Sequence, residues 1–397
     1  MQYRDSDIVI LAGARTPFGN FGGVLKDVSA TDLGVAAAQG AIARSGVPAE
    51  KIDDVVFGNV MQTSADAIYL ARHIALRAGV PIGVPALTVN RLCGSGLQAI
   101  ITAAHHLLLG EATYALAGGT ESMSQAPHVI RGARWGFALG QGKLEDSLWE
   151  GLTDSYNNMP MAITAENLAE RYAISREASD EFALRSQQNA VAARDNGYFS
   201  EEIVPVDVPG PKGATQTVAV DEGPRDGLSL EKLAKLPPRF KKGGVVTPGN
   251  ASGITDGAAA VVMTTVKQAK ADGIPWIGRI VSWSTVGVDP DIMGIGPAVA
   301  IPKALQRANL RPKDLRVVEI NEAFAPQVLA CVKEMGFNGE RLNPHGGAIS
   351  LGHPLGASGA RITFTALHDL RENGGGYGVA SACIGGGQGI AAVVEAG

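Results

Sequence analysis

Asn90-Arg91-Leu92-Cys93-Gly94-Ser95-Gly96-Leu97-Gln98-Ala99-Ile100 joins an apolar, strand-like run, Val84 to Val89, to a helical pattern carrying Leu97, Ile100, Ile101 and Ala104. Strand, glycine-rich turn and helix in that order put Cys93 at a helix start. Gly94 and Gly96 permit a tight turn and the close approach of another group. The first helical N–H groups are unpaired and the helix dipole is positive there. Both effects favour thiolate over thiol and activate the sulfur as a nucleophile. Taken alone, the stretch also fits a small buried hydrophobe, the commoner fate of a free cysteine.

The whole chain narrows the choice. Its 397 residues suggest two to three domains. Apolar residues make up 45% and charged residues 18%, the balance of a globular protein with an ample core. Glycine and alanine are abundant, which suits closely packed helix–sheet layers. A net charge of −5 gives no case for nucleic acid or an anionic membrane surface, though it leaves room for a local basic patch that meets a phosphate. Three cysteines, Cys93, Cys331 and Cys383, make no disulfide framework and point to a reducing compartment. No apolar run is expected to reach the ~18 residues that span a bilayer. The polar stretch Met1 to Asp7 reads as neither a signal nor a transit peptide.

In chain order, Ile8 to Leu11 reads as a buried strand and Ala12 to Gly19 as a turn-rich loop. Thr31 is the expected cap of a helix reaching Ile42. Val55 to Gly58 is a second strand, Ala67 to Ala78 an amphipathic helix, and Tyr114 to Ala117 a strand ending at Gly118-Gly119. Continuous apolar runs alternating with helices predict an α/β domain around a largely parallel sheet. From Thr120 to about Asn250 the pattern breaks. Trp135, Trp149, charged clusters and Pro237-Pro238 mark an inserted, loop-rich region with one strong helix, Arg176 to Arg194, capped by Ser175. After Asn250 the strand–helix pattern resumes.

It resumes as a repeat. Gly96 and Gly359 lie 263 residues apart, as do Ser95 and Ser358, Tyr114 and Tyr377, and Phe57 and Ile320. Two similar α/β halves with an insertion follow from this. The offset puts Ser350-Leu351-Gly352-His353-Pro354-Leu355-Gly356 beside the helix start that matches the one after Cys93. Halves packed face to face bring those two helix starts together. Cys383-Ile384-Gly385-Gly386-Gly387 ends what reads as the last strand, and Ile320-Asn321-Glu322 ends another.

A thiolate needs a base, and His353 suits that role at neutral pH. Cys383 could serve as a second thiol acid or base, and the glycines after it expose N–H groups fit for an oxyanion hole. The bland alternatives are a structural histidine, a core cysteine and a tight turn. Asn321 could hold a water or a carbonyl oxygen, or simply form a turn. Cys331 lies on an apolar helix face and reads as core. The spacings hold no C-x-x-C or H-x₃-H pair, which argues against zinc. Gly385 to Gly389 has no acidic residue downstream, which argues against a dinucleotide site. On residue types, a cysteine protease stays open.

At this point the residues resemble a family. The blocks Asn90 to Gly96, Gly118-Gly119-Thr120-Glu121-Ser122-Met123-Ser124, Gly249-Asn250-Ala251-Ser252-Gly253, Asn321-Glu322-Ala323-Phe324, Gly346-Gly347-Ala348-Ile349, Gly352-His353-Pro354 and Cys383 to Gly387 are similar, in order, to the thiolases, the acetyl-CoA acyltransferases. The resemblance covers nearly the whole chain. It implies an α/β thiolase fold: two repeated βαβαβαββ domains in a five-layered αβαβα arrangement, with an inserted loop domain. The expected division is 1–122 plus 251–273, a loop domain 123–250 that binds coenzyme A, and 274–397.

The resemblance also implies roles. Cys93 takes the acyl group as a thioester and His353 activates it. Cys383 exchanges the proton at the reacting carbon of acetyl-CoA. Asn321, through a water, and His353 form one oxyanion hole; the N–H groups of Cys93 and Gly385 form the other. Ser252, with Ala251 beside it, meets the pantetheine arm, Arg225 lies near the nucleotide, and Met161 and Phe324 line the acyl pocket. Coenzyme A and acyl-CoA enter as substrates, with no tightly bound cofactor and no metal. A homotetramer in a bacterial cytoplasm, or in a mitochondrial matrix, is expected.

Pro160 stands where short-chain acetoacetyl-CoA thiolases typically have histidine. With Ser64 to Arg72 and Lys143 to Trp149, it makes the chain similar to mitochondrial-type 3-ketoacyl-CoA thiolases. Asn343-Pro344-His345 departs from the family's usual Asn-Val-Asn, placing an extra histidine near the base. Two rivals share the fold: a decarboxylating condensing enzyme, disfavoured by Cys383 and its glycines, and a non-enzyme, disfavoured because Cys93, His353 and Cys383 are all present.

Overall fold

The computed structural model describes residues 3–210, 213–337 and 339–397; Met1 and Gln2 of the polar N-terminal stretch lie outside them. Among the described residues ten strands make the main sheet, nine of them in one path. The first half supplies β1 (Ile8–Arg15), β2 (Asp54–Gly58), β3 (Ala86–Val89), β4 (Tyr114–Ser122) and β5 (Thr255–Thr265). The second supplies β6 (Gly278–Gly287), β7 (Leu315–Ile320), β8 (Gly376–Ile384) and β9 (Gln388–Ala396). Their order is β7-β8-β9-β6-β1-β5-β4-β2-β3, with Gly19–Asn20 pairing beside β5. The two halves join where Ile8, Val9 and Ile10 pair with Ile280, Arg279 and Gly278.

Helices make the remaining layers. On one outer face, α1 (Ala30–Ser45) and α2 (Leu70–Arg77) pack Leu33, Ala37 and Ile74 onto Val9, Phe57 and Leu116. In the middle, α3 (Ser95–Leu109) contributes Ile100 and Ala103 to a core shared with strand residues of both halves, Ala115, Val261, Val317 and Val394. The insertion carries α4 (Met161–Arg171) and α5 (Arg176–Asp195). On the far face, α6 (Gly296–Ala308) and α7 (Ala325–Met335) pack Ile301 and Val328 onto Val318 and Val393. The partner of α3 in the middle layer is α8 (Leu355–Glu372), through Phe364 and Leu367. In β4 the side chains alternate as a strand requires: Leu116 faces the outer helices, Ala115 and Ala117 the middle layer. Each such fully buried Leu or Ile contributes about 2 kcal/mol.

The repeat is visible at the crossing of α3 and α8. A Cβ on Gly96 would lie 2.7 Å from the Ala360 nitrogen and the Gly356 oxygen; one on Gly359 would lie 2.4 Å from the Leu97 nitrogen. The matching glycines are thus where the two backbones touch, and any side chain would force the helices apart.

Several expectations need correction. The sheet is mixed: β3, β2 and β4 run parallel, as do β7 and β8, but β4–β5, β5–β1, β8–β9 and β9–β6 are antiparallel. Helices cover both faces, so strands read as continuous apolar runs whatever their direction. β4 continues through Gly118-Gly119 to Ser122, and β1 continues to Arg15. β8 is not the last strand; Gly385 to Gly387 turn it into β9, with Ile384 opposite Gln388. The cap of α1 is Ser29, whose hydroxyl accepts from the Asp32 N–H at 3.0 Å, and Thr31 is buried inside the helix. Ser175 caps α5 as expected, accepting from Ala178 at 3.1 Å. Leu92–Leu109 does have the length and composition of a membrane span. It is instead the central helix region, apolar because sheets and α8 enclose it.

The insertion adds small hairpins, His128–Ile130 with Leu144–Asp146 and Val206–Pro209 with Thr215–Val218, around α4 and α5. Its α4 packs against α7 and so brings Met161 toward the second half.

Candidate active site

Cys93 sits on a strained turn. Leu92 has φ +47°, a left-handed value that costs a leucine about 1 kcal/mol or more. Local hydrogen bonds hold it there. Asn90 Oδ1 accepts from the Leu92 N–H at 2.9 Å. The Ser95 hydroxyl accepts from the Arg91 N–H at 2.8 Å and donates to the Leu92 carbonyl at 2.7 Å. The turn leaves the Cys93 side chain half-buried against Met61, Met123, Leu148 and Leu355.

The glycine turn after Cys383 meets it from the other half. A Cβ on Gly94 would lie 2.6 Å from Ile384 Cδ1, and one on Gly385 would lie 3.3 Å from Leu92 Cδ1 and 3.2 Å from Met161 Sδ. Burial pushes the Cys93 thiol up to about 11; the N–H groups of Gly385 and of Cys93 itself pull against that rise, and the charge of Glu121 adds to it. Those two N–H groups are the donors expected to form an oxyanion hole. Gly385 to Gly387 is therefore both a tight turn, with Gly386 and Gly387 at positive φ, and a source of a donor.

Cys383 is fully buried at the end of β8, packed with Met293 and Ala323 and beside Met161 and Phe324. Burial, then the neighbouring Cys93 and Cys331 sulfurs, hold its thiol well above the usual cysteine range. Cys331 is core, with its thiol donating to the Gly294 carbonyl at 3.2 Å.

His353 is buried ahead of α8. Its N–H donates to the Gly253 carbonyl at 3.2 Å and to Thr255 Oγ1 at 3.1 Å. Nδ1 lies 2.6 Å from the Ser358 hydroxyl, which itself donates to the Pro354 carbonyl at 3.0 Å. With its one proton given to that carbonyl, Ser358 accepts from Nδ1–H, and Nε2 is left as the acceptor. Nε2 meets the Asn321 amide nitrogen at 3.2 Å, while Asn321 Oδ1 is buried with no hydrogen-bond partner among the described residues. Burial, helped by the Arg361 charge, pushes His353 down to about 3, so the ring is neutral at pH 7. Among the described residues no hydrogen bond joins the Cys93 sulfur to this ring. At pH 7 Cys93 is thus a thiol and His353 a neutral imidazole.

The loop 250–253 runs beside Ala323 and Phe324. Ser252 N–H donates to the Ala323 carbonyl at 3.0 Å, and Ala251 pairs with Phe324. Met161 and Phe324 flank Cys383. Arg225 is exposed, and its N–H donates to Gln187 Oε1 at 2.8 Å. His345 does not reach the base. Its Nε2 lies 2.8 Å from Asp369 Oδ1 and its ring stacks on Tyr198 at 3.6 Å.

Sequence reasoning missed Ser358 and Thr255. The signal for Ser358 was present: it matches Ser95, and both serines tie down a turn carrying a reactive side chain.

With this geometry in hand, comparisons with known proteins are specific. The thiolase N-terminal domain model matches residues 8–267 and the thiolase C-terminal domain model residues 274–396. The chain is 53% identical over 389 residues to the mitochondrial 3-ketoacyl-CoA thiolase of Homo sapiens, covering 98% of each. It is 47% identical over 391 residues to an acetyl-CoA acetyltransferase of Cupriavidus necator, covering 98% of this chain and 99% of that one. The crystal structure of human mitochondrial 3-ketoacyl-CoA thiolase in complex with CoA superposes with TM-score 0.96 at 51% identity, covering 100% of both chains. The chain belongs to the thiolase family.

Proposed function

We propose that this enzyme cleaves 3-ketoacyl-CoA with coenzyme A, giving acetyl-CoA and an acyl-CoA shortened by two carbons, and runs the reverse Claisen condensation. The reading rests above all on one observation: two thiols of unequal burial, Cys93 beside the Gly385 N–H and Cys383 wholly buried at the end of β8, lie close enough between the halves to act on each other.

In the cleavage direction the Cys93 sulfur attacks the 3-keto carbon as His353 Nε2 takes its proton. Charge moves to the carbonyl oxygen, between the Cys93 and Gly385 N–H groups. The carbon–carbon bond then breaks and releases the enolate of acetyl-CoA. Asn321 and the now protonated His353 face the enolate oxygen, and Cys383 supplies the proton to its carbon. The acyl-Cys93 thioester passes to coenzyme A in a second half-reaction, a ping-pong course. Two charges that develop at different places call for two donor sets, which these halves supply.

Ser252 and Ala251 are assigned to the pantetheine arm, Arg225 to the nucleotide, and Met161 and Phe324 to the acyl pocket. The same reading divides the chain into 1–122 plus 251–273, 123–250 as the CoA-binding loop domain, and 274–397. It also includes a homotetramer, supported by the open edge strand β3 with exposed Leu87, and by exposed Trp135, Leu139 and Leu144 on the hairpin. The compartment is a reducing one, a bacterial cytoplasm or a mitochondrial matrix.

A main role as a short-chain acetoacetyl-CoA thiolase is the second reading, favoured by the Cupriavidus necator relative and disfavoured by Pro160. Thiolysis rate against chain length decides between them. A rate that holds or rises beyond acetoacetyl-CoA supports the first reading; activity confined to acetoacetyl-CoA supports the second.

A further inference from the structure

Glu121 is a wholly buried carboxylate with no role in the chemistry above. It lies near the end of β4, in the first half. Its Oε1 accepts from Asn59 Nδ2 at 2.9 Å and from the Met61 N–H at 3.0 Å. Its Oε2 accepts from the Val60 N–H at 3.0 Å and, across the molecule, from the Gly356 N–H at 3.0 Å. Burial pushes the carboxyl up to about 7 against these donors, so at pH 8 it is mostly ionised, with its acceptor capacity well used by four donors on two oxygens.

The Gly356 bond gives these contacts a purpose. Gly356 lies three residues after His353, in the first turn of α8, where helix N–H groups have no internal partner. By the 263-residue offset Gly356 is the counterpart of Cys93. In the first half the N–H at that position faces a reacting oxygen; in the second it is held by Glu121. No side chain fits at Gly356, since a Cβ would lie 2.5 Å from the Thr120 carbonyl oxygen. The helix start is thus seated on the first half's strand end, and Glu121 is the charged anchor of that seat.

We propose that Glu121 is a positioning residue: it ties the helix start that carries His353 to the Asn59–Met61 loop beside Cys93, and so sets the base against the nucleophile across the two halves. The proposal rests on the thiolase reading of Cys93 and His353. Among the described residues Glu121 hydrogen-bonds to neither reacting sulfur. Met61, one of the residues it holds, also packs against the Cys93 wall, so one carboxylate fixes both sides of the pair.

Glu121→Gln tests this. An amide has one acceptor end, so Gln satisfies one pair of donors and turns its own N–H groups on the other. Turnover in thiolysis should fall at least tenfold, with KM for coenzyme A and for the 3-ketoacyl-CoA within twofold. Alkylation of Cys93 by iodoacetamide at a fixed pH of 8 should become faster, because the charge that opposes the thiolate is gone. Loosening of the Cys93 wall would also expose the thiol and speed its alkylation, so the two causes are separated by a thermal unfolding midpoint matching wild type and by the charge-keeping variant that follows. Glu121→Asp, which keeps the charge but retracts it by one methylene, should lose turnover with Cys93 alkylation unchanged, and it serves if the Gln variant does not fold. Turnover within twofold of wild type, or turnover and alkylation falling together, would overturn the proposal. An inactive wild-type chain would instead overturn the thiolase reading itself, so the two failures are distinct.

Discussion

The turn at Cys93 and the turn at His353 occupy matching places in the two halves, and their differences show how one fold sets a thiol and an imidazole, the proposed nucleophile and base, in unlike surroundings. Each precedes a central helix, and each is tied down by a serine at the same repeat position: Ser95 bonds backbone only, whereas Ser358 bonds backbone and the His353 ring. The Cys93 turn holds a left-handed leucine and leaves its side chain half-buried. The His353 turn puts Gly352 at φ +104° and buries the ring completely enough to keep it neutral. A duplicated scaffold thus gives an accessible sulfur from one copy and a desolvated imidazole from the other. The two thiols differ in the same sense. Cys93 has two N–H groups lowering its pKa, while Cys383 has only its own backbone against burial and two neighbouring sulfurs.

The strongest way to break this comparison is Cys383→Ala. If the thiols divide the work, steady-state thiolysis falls on the order of a thousandfold, while Cys93 still takes an acetyl group from acetyl-CoA at a rate near wild type. Equal loss of both steps, read by quenched-flow labelling, would merge the two roles.

The paired serines give the next largest effect. Ser358→Ala takes away the acceptor that keeps the His353 proton on Nδ1, leaving Nδ1–H unpaired in a buried site. A loss of about 1–3 kcal/mol corresponds to roughly a fivefold to 150-fold lower turnover. Ser95→Ala loosens only the Cys93 turn and is expected to slow acylation alone. Identical profiles for the two variants would count against their different duties.

The smallest effect concerns stability. Folded His353 takes up a proton only near about 3, whereas its ordinary value is 6.5. Between those values the unfolded chain binds the extra proton, so this group lowers stability as pH falls below 6.5, by up to ~1.4 kcal/mol per pH unit; above 6.5 it contributes no slope. Glu121 and Glu319, pushed up to about 7 and about 8 mainly by burial, act in the opposite sense. The difference between wild type and His353→Gln at each pH therefore isolates the histidine. Denaturant unfolding at pH 7, 6 and 5 should show that difference changing between 6 and 5. A constant difference would mean the ring is not held neutral by burial.

Much of this was legible in the sequence because duplication leaves spacing behind. The 263-residue offset placed Gly96 against Gly359 before any contact was known, and those glycines are where α3 and α8 touch. The nucleophile turn, the core role of Cys331 and the cap at Ser175 could be read from local chemistry. Strand direction could not, since covering helices give parallel and antiparallel strands the same apolar runs. Nor could the closing hairpin be foreseen: Gly385 to Gly387 reads equally as an end or as a turn. The part of Glu121 was hidden for a different reason. Its partner Gly356 is 235 residues away and gives a backbone N–H, which no side-chain pattern reveals. The surroundings of His345 were equally out of reach. The residue is near His353 in sequence, but Tyr198 and Asp369 hold its ring elsewhere.

The most direct test of the central claim is to locate the acetyl group after brief exposure of the wild-type enzyme to acetyl-CoA, by acid quench and peptide mass mapping. The account predicts a single acetyl group on the peptide containing Cys93, none on that containing Cys383, and no label in Cys93→Ala. Acetyl on Cys383, or a Cys93→Ala enzyme that still carries label, would contradict it.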